Sequence, residues 1–538
     1  MEKNKITSKP KPTRWWPAIV ILGVFALTLG LVLYAMSEDQ ASRALTILGA
    51  TTLTSILLLA WMLFFSRLPK RTRLLNFGGL VGAIVLFSTC FRFSQFSGNM
   101  IPMFEWRWIR NTLPTAATHA ANPNNNSLTK LSFPQFLGPN RDCKVIGPDL
   151  ATDWTTQSPE KLWRQPIGPA WSGFVIAGSR AVTQEQRAQN EAVVCYDLQT
   201  GTVLWQQTNV GHYKTAIAGE GPRATPTIHD SKVYTLGASG MLNCLELATG
   251  KPVWQRSVVT DAGLNVDETI DQIGILDNRN KSKEWGYSCS PLILKNLVIV
   301  SAGGDNGKSL ISYDRITGKL IWSGGSSRAG YSSPRLSKLH GHQQILIFNQ
   351  DGLAAHSTTD GSIVWGFDWN VRYPHVSVPL TLPGNKILLS LGYGKGSKLL
   401  QVNFNEDKFS ATELWKSNRM KAKFTNLIFH NDHIFGLDDG MFACIGIERG
   451  RRKWKEGRYG HGQILLRGDH ILVMAENGDV VLLEANAEQH VELTRFAALD
   501  GKTWNPPALA GEYLLVRNHR EAACYKLPLA KPAKFASQ

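Results

Sequence analysis

LATGKPVWQ (247–255) is one copy of a phrase that recurs down the chain, as LQTGTVLWQ (198–206), RITGKLIWS (315–323) and TTDGSIVWG (358–366). Looser copies follow as NEDKFSATELWKS (405–417) and IERGRRKWKE (447–456). The copies follow short apolar runs at about the 40 to 50 residue period of a four-stranded propeller blade. Each predicts a strand, a two-residue turn and a strand. Gly201, Gly250, Gly318 and Gly361 supply a turn position with positive φ, and the Trp four residues later packs against the neighbouring blade. A second hairpin precedes each copy, as in KVYTLGASGMLNCLEL (232–247) and HILVMAENGDVVLLE (470–484), where alternating apolar residues flank Ser-Gly or Asn-Gly turns.

Trp205, Trp254, Trp322, Trp365, Trp415 and Trp454 mark six outer strands, and a seventh copy without its Trp runs through 480–496. Two fragments remain. EKLWRQPIG (160–168) offers only an outer strand with Trp163, and LLVRNHREAACYKLP (514–528) offers only inner strands. Together they complete an eighth blade that joins the two ends, so the expected fold is all-β, an eight-bladed propeller over residues 131–528. Closure removes the free sheet edges that would invite aggregation.

The first quarter of the 538 residues differs from the rest. Apolar stretches at 15–36, 44–66 and 74–91 are each about the 20 residues needed to cross a bilayer, so residues 15–93 are expected to form three transmembrane α-helices. Two further apolar segments follow the first at once, which disfavours a cleavable signal peptide. Lys3, Lys5, Lys9, Lys11 and Arg14 in the tail (1–14), and Arg67, Lys70, Arg71 and Arg73 in the second loop, predict a cytoplasmic side; the first loop carries Glu38 and Asp39 against Arg43. Three crossings then put the propeller outside the cytoplasm, on the periplasmic side of a bacterial inner membrane. Residues 94–130 are expected to hold an interfacial segment, MFEWRWIRN (103–111) with Trp106, Arg107, Trp108 and Arg110, followed by a polar tether; 529–538 are a tail.

The formal charge of +16 is concentrated near the membrane segments: residues 1–130 carry 14 Lys and Arg against 4 Asp and Glu, and the rest carry 44 against 38. This distribution reads as membrane topology and excludes a nucleic-acid partner. Cys195, Cys244 and Cys444 each lie six residues before the turn glycine, with Ser312 and Ala355 in the same register and Cys524 in the matching strand of the last blade. They read as small buried strand residues. Cys143 and Cys289 lie outside this register, and their pairing is left open.

Chemistry is expected where each outer strand hands over to the next inner strand, around the central channel. The entry segments are GPAWSG (168–173), GPRATP (221–226), WGYSCSP (285–291), AGYSSP (329–334), YPHVSVP (373–379), KFTNLI (423–428), YGHGQI (459–464) and KTWNPP (502–507). A large residue precedes small ones, which predicts a mouth ringed by Trp171, Arg223, Tyr287, Tyr331, His375, His461, Trp504 and Asn505. Two readings stand. The ring plugs a tapering channel, or it forms a ligand site whose Arg223, His375 and His461 favour a small anion. The long connection 258–284 on that face is either a lid or an insertion. LGYGKGSK (391–398) joins two strands and so reads as a hairpin rather than a phosphate loop, and HGH (340–342), HNDH (430–433) and DNG (305–307) lack the ligand sets of metal sites.

CYDLQTGTVLWQ (195–206) and CLELATGKPVWQ (244–255) resemble the pyrroloquinoline-quinone (PQQ) repeat, and FPQFLGPNRD (133–142) resembles the leader of membrane-linked or exported bacterial PQQ-like propellers. The resemblance covers roughly residues 131–528. It implies two functions. Non-catalytic relatives use eight blades as binding or scaffolding modules, among them an envelope lipoprotein that assists outer-membrane protein assembly. Quinoprotein dehydrogenases of the same fold oxidise alcohols or sugars with PQQ and calcium and pass electrons to the membrane. No adjacent Cys pair, catalytic Asp or ion-ligand motif of the dehydrogenases is matched here, so the sequence assigns no catalytic residue and no metal site. A membrane-anchored binding or scaffolding propeller, with envelope proteins or a small anion as partners, is the leading expectation.

Overall fold

The computed structural model describes residues 12–36, 40–108, 113–114, 128, 130–215, 218–264 and 285–530. The basic tail up to Lys11, the acidic pair Glu38 and Asp39, most of the tether with Arg110, the connection 265–284 and the tail 531–538 lie outside them. The chain divides into two compact units, Met1–Arg110 and Asn111–Gln538.

The first unit holds three helices long and apolar enough to cross a membrane, Trp16–Ala35, Ser42–Phe65 and Lys70–Cys90. The second ends in a π turn, Trp61–Phe65, whose Trp61 indole donates to the Arg14 carbonyl at 2.9 Å. Directly after the third helix come two antiparallel strands, β1 (Phe91–Phe96) and β2 (Pro102–Trp106). The expected interfacial segment thus has regular structure. Its aromatic residues alternate with polar ones, the period of a strand.

The second unit is the eight-bladed propeller. Blade 1 spans 175–210, blade 2 227–257, blade 3 292–324, blade 4 335–368, blade 5 380–417, blade 6 428–458 and blade 7 463–497. In blade 8 the C-terminal strands Ala508–Ala510, Tyr513–Arg517 and Glu521–Lys526 take Glu160–Pro166 as their outer strand, with Cys524 opposite Trp163. The ring closes through the two ends of the domain, as the fragments predicted. Arg517 reinforces the closing seam, donating to Thr183 Oγ1 at 2.9 Å, Gln184 O at 2.8 Å and Gly168 O at 2.7 Å.

The repeated phrase differs from a two-residue turn. Asp197 and Thr202 close a four-residue loop, in which Gly201 N–H donates to Asp197 O at 2.9 Å. The Asp197 carboxylate accepts from the amides of Gln199 and Thr200 and from the Thr200 hydroxyl, and Asp314 does the same for Ile316 and Thr317. This explains Asp and Thr in the phrase: the side chain supplies the loop's missing acceptors. Hydrogen bonds from Thr317 hold the Asp314 carboxyl below the usual carboxylate range.

Glycine in the phrase is needed twice. Gly318 has φ 69°, and a Cβ there would lie 2.7 Å from the Trp254 ring of the preceding blade. The same ring-on-glycine contact joins Trp163 to Gly201, Trp205 to Gly250, Trp322 to Gly361 and Trp415 to Gly450. The indole N–H then finds a carbonyl in the same loop: Trp163 to Leu198, Trp205 to Leu247, Trp254 to Arg315, Trp415 to Ile447. Each Trp is thus the latch between its own blade and the next. Blade 5 replaces the loop by a long hairpin, Gly396–Asn405 with Lys408–Ser417, and Trp365 of blade 4 turns back to Gln344 of its own blade.

The leader gives blade 1 a fifth strand: Ser132–Phe133 pairs with Val175–Ala177 at the inner edge. Farther on, the buried Arg141 guanidinium donates to Ser290 O at 3.1 Å, Pro334 O at 3.0 Å, Pro291 O, Thr227 Oγ1 at 3.4 Å and Gln135 Oε1 at 2.8 Å. These groups belong to blades 2, 3 and 4 and to the leader itself. Burial lowers the Arg141 pKa to about 10. Beyond it, Cys143 O and Val145 N bond to Leu466 of blade 7. The leader therefore crosses the ring and fastens inner strands of opposite blades. All seven cysteines are unpaired thiols, Cys143 and Cys289 included.

Candidate functional site

The small residues entering the inner strands form a hydrogen-bonded collar. Gly173 N donates to Thr225 Oγ1 at 3.0 Å, Thr225 N to Ser290 Oγ at 3.0 Å and Ser290 N to Ser333 Oγ at 2.9 Å. Ser332 Oγ reaches Ser377 O at 3.0 Å, and Val378 N reaches Asn426 Oδ1 at 2.8 Å. Gln463 Nε2 spans to Phe424 O at 2.8 Å and Trp504 O at 2.9 Å, and Asn505 Nδ2 reaches Ala170 O at 3.0 Å and Ser172 O at 2.8 Å. Every seam of the ring is bridged. Short polar side chains do more here than permit crowding, because each satisfies a backbone group that burial near the axis removes from water. Asn505, expected as a ligand residue, is buried in this collar.

Two residues before the collar stand Trp171, Arg223, Ser288, Tyr331, Val376, Phe424, His461 and Thr503. This register corrects two expectations. Tyr287 and His375 lie one position off and turn away from the mouth, whereas Trp504, also one position off, stays there against Trp171 and Phe424. Tyr287 packs among Val259, Ala262 and Ala302 in the seam of blades 2 and 3, with its hydroxyl on Ala302 O at 3.1 Å. His375 lies against Phe348, with its ring nitrogens 2.9 Å from Tyr373 O and 3.0 Å from Trp369 O. Neither reaches the mouth.

The remaining predicted residues come together with several that sequence reasoning missed. Ring centroids run Trp171 to Trp504 at 5.1 Å, Trp504 to Phe424 at 4.6 Å, Phe424 to Trp285 at 6.2 Å and Trp285 to Tyr331 at 5.0 Å. His461 lies 5.6 Å from Phe424. Residues from blades 1, 8, 6 and 4 and from the connection before blade 3 are thus in contact, so aromatic rings cross the channel mouth.

Cations are set against these rings. Lys502 Nζ sits 3.5 Å from the Trp504 centroid and 4.8 Å from that of Trp171; Lys423 Nζ sits 5.6 Å from Phe424 and 4.8 Å from Tyr393. Arg223 lies over Tyr213 at 4.3 Å and donates to the carbonyls of Ala218, Gly219 and Gly221, fixing the excursion between blades 1 and 2. Glu476 accepts from the Trp504 indole at 3.0 Å and from His461 N at 2.8 Å. Burial lowers His461 to about 4, with Lys423 adding to the effect, so its imidazole is neutral at neutral pH. The signal that would have found Trp285, Lys423, Phe424 and Lys502 was the same alignment of entry segments, which contains all of them; Glu476 comes from a loop the alignment does not cover.

Burial also lowers Lys502 to about 7 from its ordinary 10.5. A depressed lysine pKa means that the unfolded chain binds the extra proton between pH 7 and 10.5, so stability rises with pH across that window. His461 gives the same sign between about 4 and 6.5. Denaturant melts of the propeller are expected to show a midpoint increasing from pH 7 to 10, and Lys502→Met is expected to flatten that slope.

A family model described as outer membrane protein assembly factor BamB matches residues 150–254 and 189–456. Outer membrane protein assembly factor BamB of Moranella endobia (strain PCIT) is 25% identical over 192 residues, 32% of this chain and 46% of that protein. The chain thus spans about half the length of this curated relative. Among solved structures, BamB from Moraxella catarrhalis aligns with a TM-score of 0.47 at 16% identity, over 69% of this chain and 98% of that one. A europium-containing methanol dehydrogenase aligns with a TM-score of 0.54 at 12% identity, over 76% and 100%. At such identity the second likeness shows the propeller fold alone.

Proposed function

The chain belongs to the family described as outer membrane protein assembly factor BamB, and from that premise we propose that it is a membrane-anchored scaffold whose propeller binds envelope proteins outside the cytoplasm. The observation that carries this reading is that the leader and an aromatic stack cross the ring. Arg141 and the leader fasten the inner-strand entries of several blades, and the Trp171–Trp504–Phe424–Trp285–Tyr331 stack crosses the mouth. A propeller tied across its axis is a rigid platform, and recognition then falls to its loops and outer surfaces.

The quinoprotein reading was tested against the residues at the mouth. Planar rings and three basic side chains suit an anionic aromatic group such as PQQ, but calcium requires several oxygen ligands, and Glu476 there is engaged by Trp504 and His461 beside Lys423 and Lys502. The residues fit the quinone's charge and not its ion. Calorimetry on the detergent-solubilised full chain is expected to give no calcium-dependent heat with PQQ. Turnover of alcohols or sugars with an artificial electron acceptor after addition of PQQ and calcium would overturn the scaffold.

Orientation follows from the basic flanks of the helices. A reporter that works only in the cytoplasm, fused after Gln538, is expected to be silent; an active fusion would reverse the three-crossing topology.

A further inference from the structure

The β1–β2 hairpin presents two unlike faces. Its register sets Phe91 opposite Trp106 and Phe93 opposite Phe104 on one face, with Arg92 opposite Glu105 on the other. The aromatic face is built as a network: Phe87 of the third helix touches Phe91 at 5.0 Å and Phe104 at 5.2 Å, Phe91 touches Trp106 at 5.2 Å, and Trp106 touches Trp108 at 5.1 Å. Yet Phe93 is 42%, Phe104 50%, Trp106 44% and Trp108 60% exposed. On the opposite face Arg92 pairs with Glu105 at 3.4 Å, and Ser94 donates to Glu105. A contiguous exposed aromatic face of this kind needs a cover.

Chain connectivity says what the cover is. β1 begins at the residue after Cys90, where the apolar helix Lys70–Cys90 ends. Arg107 ties the far strand back to that helix end, its N–H on Cys90 O at 2.8 Å and its guanidinium on Ser88 O at 2.8 Å. The hairpin is therefore held at one end of a membrane-length helix. We propose that it is a membrane-surface element whose aromatic face rests in the lipid headgroup boundary. This rests on the reading that the helix Lys70–Cys90 crosses a bilayer.

Depth follows from the backbone. A two-stranded hairpin carries polar backbone groups along its outer edges, which the hydrated headgroup layer accommodates and hydrocarbon does not. Trp favours that layer, which suits Trp106 and Trp108. Lipid cover also accounts for the persistence of a hairpin that would be marginal in water.

The test uses the full chain in nanodiscs of phosphatidylethanolamine and phosphatidylglycerol. Nitroxide labels go at Phe93→Cys and Phe104→Cys on the aromatic face, Arg92→Cys on the polar face and Leu80→Cys within the helix, all in a Cys90→Ser background. The oxygen-to-nickel-chelate accessibility ratio is expected to be several-fold higher at 93 and 104 than at 92. Equal, water-like ratios on both faces overturn the proposal, as do aromatic-face labels reached by neither reagent, which would mean a protein cover. A water-like label at position 80 removes the spanning helix itself and is thereby distinguished from failure of the hairpin alone. Should the labelled variants not fold, brominated-lipid quenching of tryptophan fluorescence supplies the second readout: the quenched fraction is expected to fall in the Trp106→Phe, Trp108→Phe double variant, and an unchanged fraction overturns the proposal.

Discussion

A chain ending at Arg517 is expected to yield no cooperatively folding propeller. The missing strand Glu521–Lys526 lies between Tyr513–Arg517 and Glu160–Pro166, so its loss unpairs the outer strand of blade 8 as well. Buried Ala522, Ala523, Cys524, Tyr525 and Leu527 leave the largest core cluster with it. The bonds of Arg164 to Glu521 at 2.7 and 2.8 Å go too. Together these exceed the roughly 5–15 kcal/mol of net stability typical of a folded protein, and the opened edges favour association. Circular dichroism melts and size-exclusion chromatography of the truncated chain check this; a monomer with a sharp transition would mean that seven blades stand without the ring.

The second large effect lies in the latch between blades 2 and 3. Trp254→Ala is expected to cost about 3–5 kcal/mol, the range for emptying a large aromatic from a core. Gly318→Ala is expected to cost more than the roughly 1–2 kcal/mol of a left-handed alanine, since its Cβ would meet the Trp254 ring at 2.7 Å. Gly307→Ala is the control: φ is 81°, and nothing lies within 4 Å of its Cβ. With Trp254 already alanine, Gly318→Ala should fall to the control value. Urea melts of the four chains form the double-mutant cycle that measures the latch; additive losses would show that ring and glycine do not meet.

What was legible in the sequence was the repeat. The Trp and Gly positions count the blades because each serves a seam, and the orphan fragments around Trp163 and Cys524 predicted where the ring closes. LGYGKGSK (391–398) is a connection between paired strands, Lys386–Leu391 and Gly396–Asn405, as read. What escaped was whatever depends on one residue of register or on contacts far apart in sequence. Tyr287 and His375 were placed at the mouth by resemblance of side-chain type, whereas the collar position fixes the register and gives Ser288 and Val376 instead. Arg141 has no repeat partner, and its acceptors are carbonyls, which no side-chain pattern reveals. Trp285 reaches Phe424 across more than a hundred residues. The hairpin after the third helix was visible as alternation in FRFSQF (91–96) but was overshadowed by the apolar helix beside it.

The closing blade also sets a timetable. Arg164 and Glu521 are separated by 357 residues, so Glu160–Pro166 emerges long before its partner and waits, as an unpaired strand carrying Leu162 and Trp163, for almost the last residues of the domain. Contacts of such sequence separation slow folding and lengthen exposure to misassembly. Blades 1 to 7 are each complete from consecutive strands and can form as they appear; the final strand then determines when the propeller becomes a single cooperative body. A pause, a nick or a premature stop just before Glu521 leaves seven assembled blades with two adhesive ends, so that arrival of the last strand decides whether the ring closes.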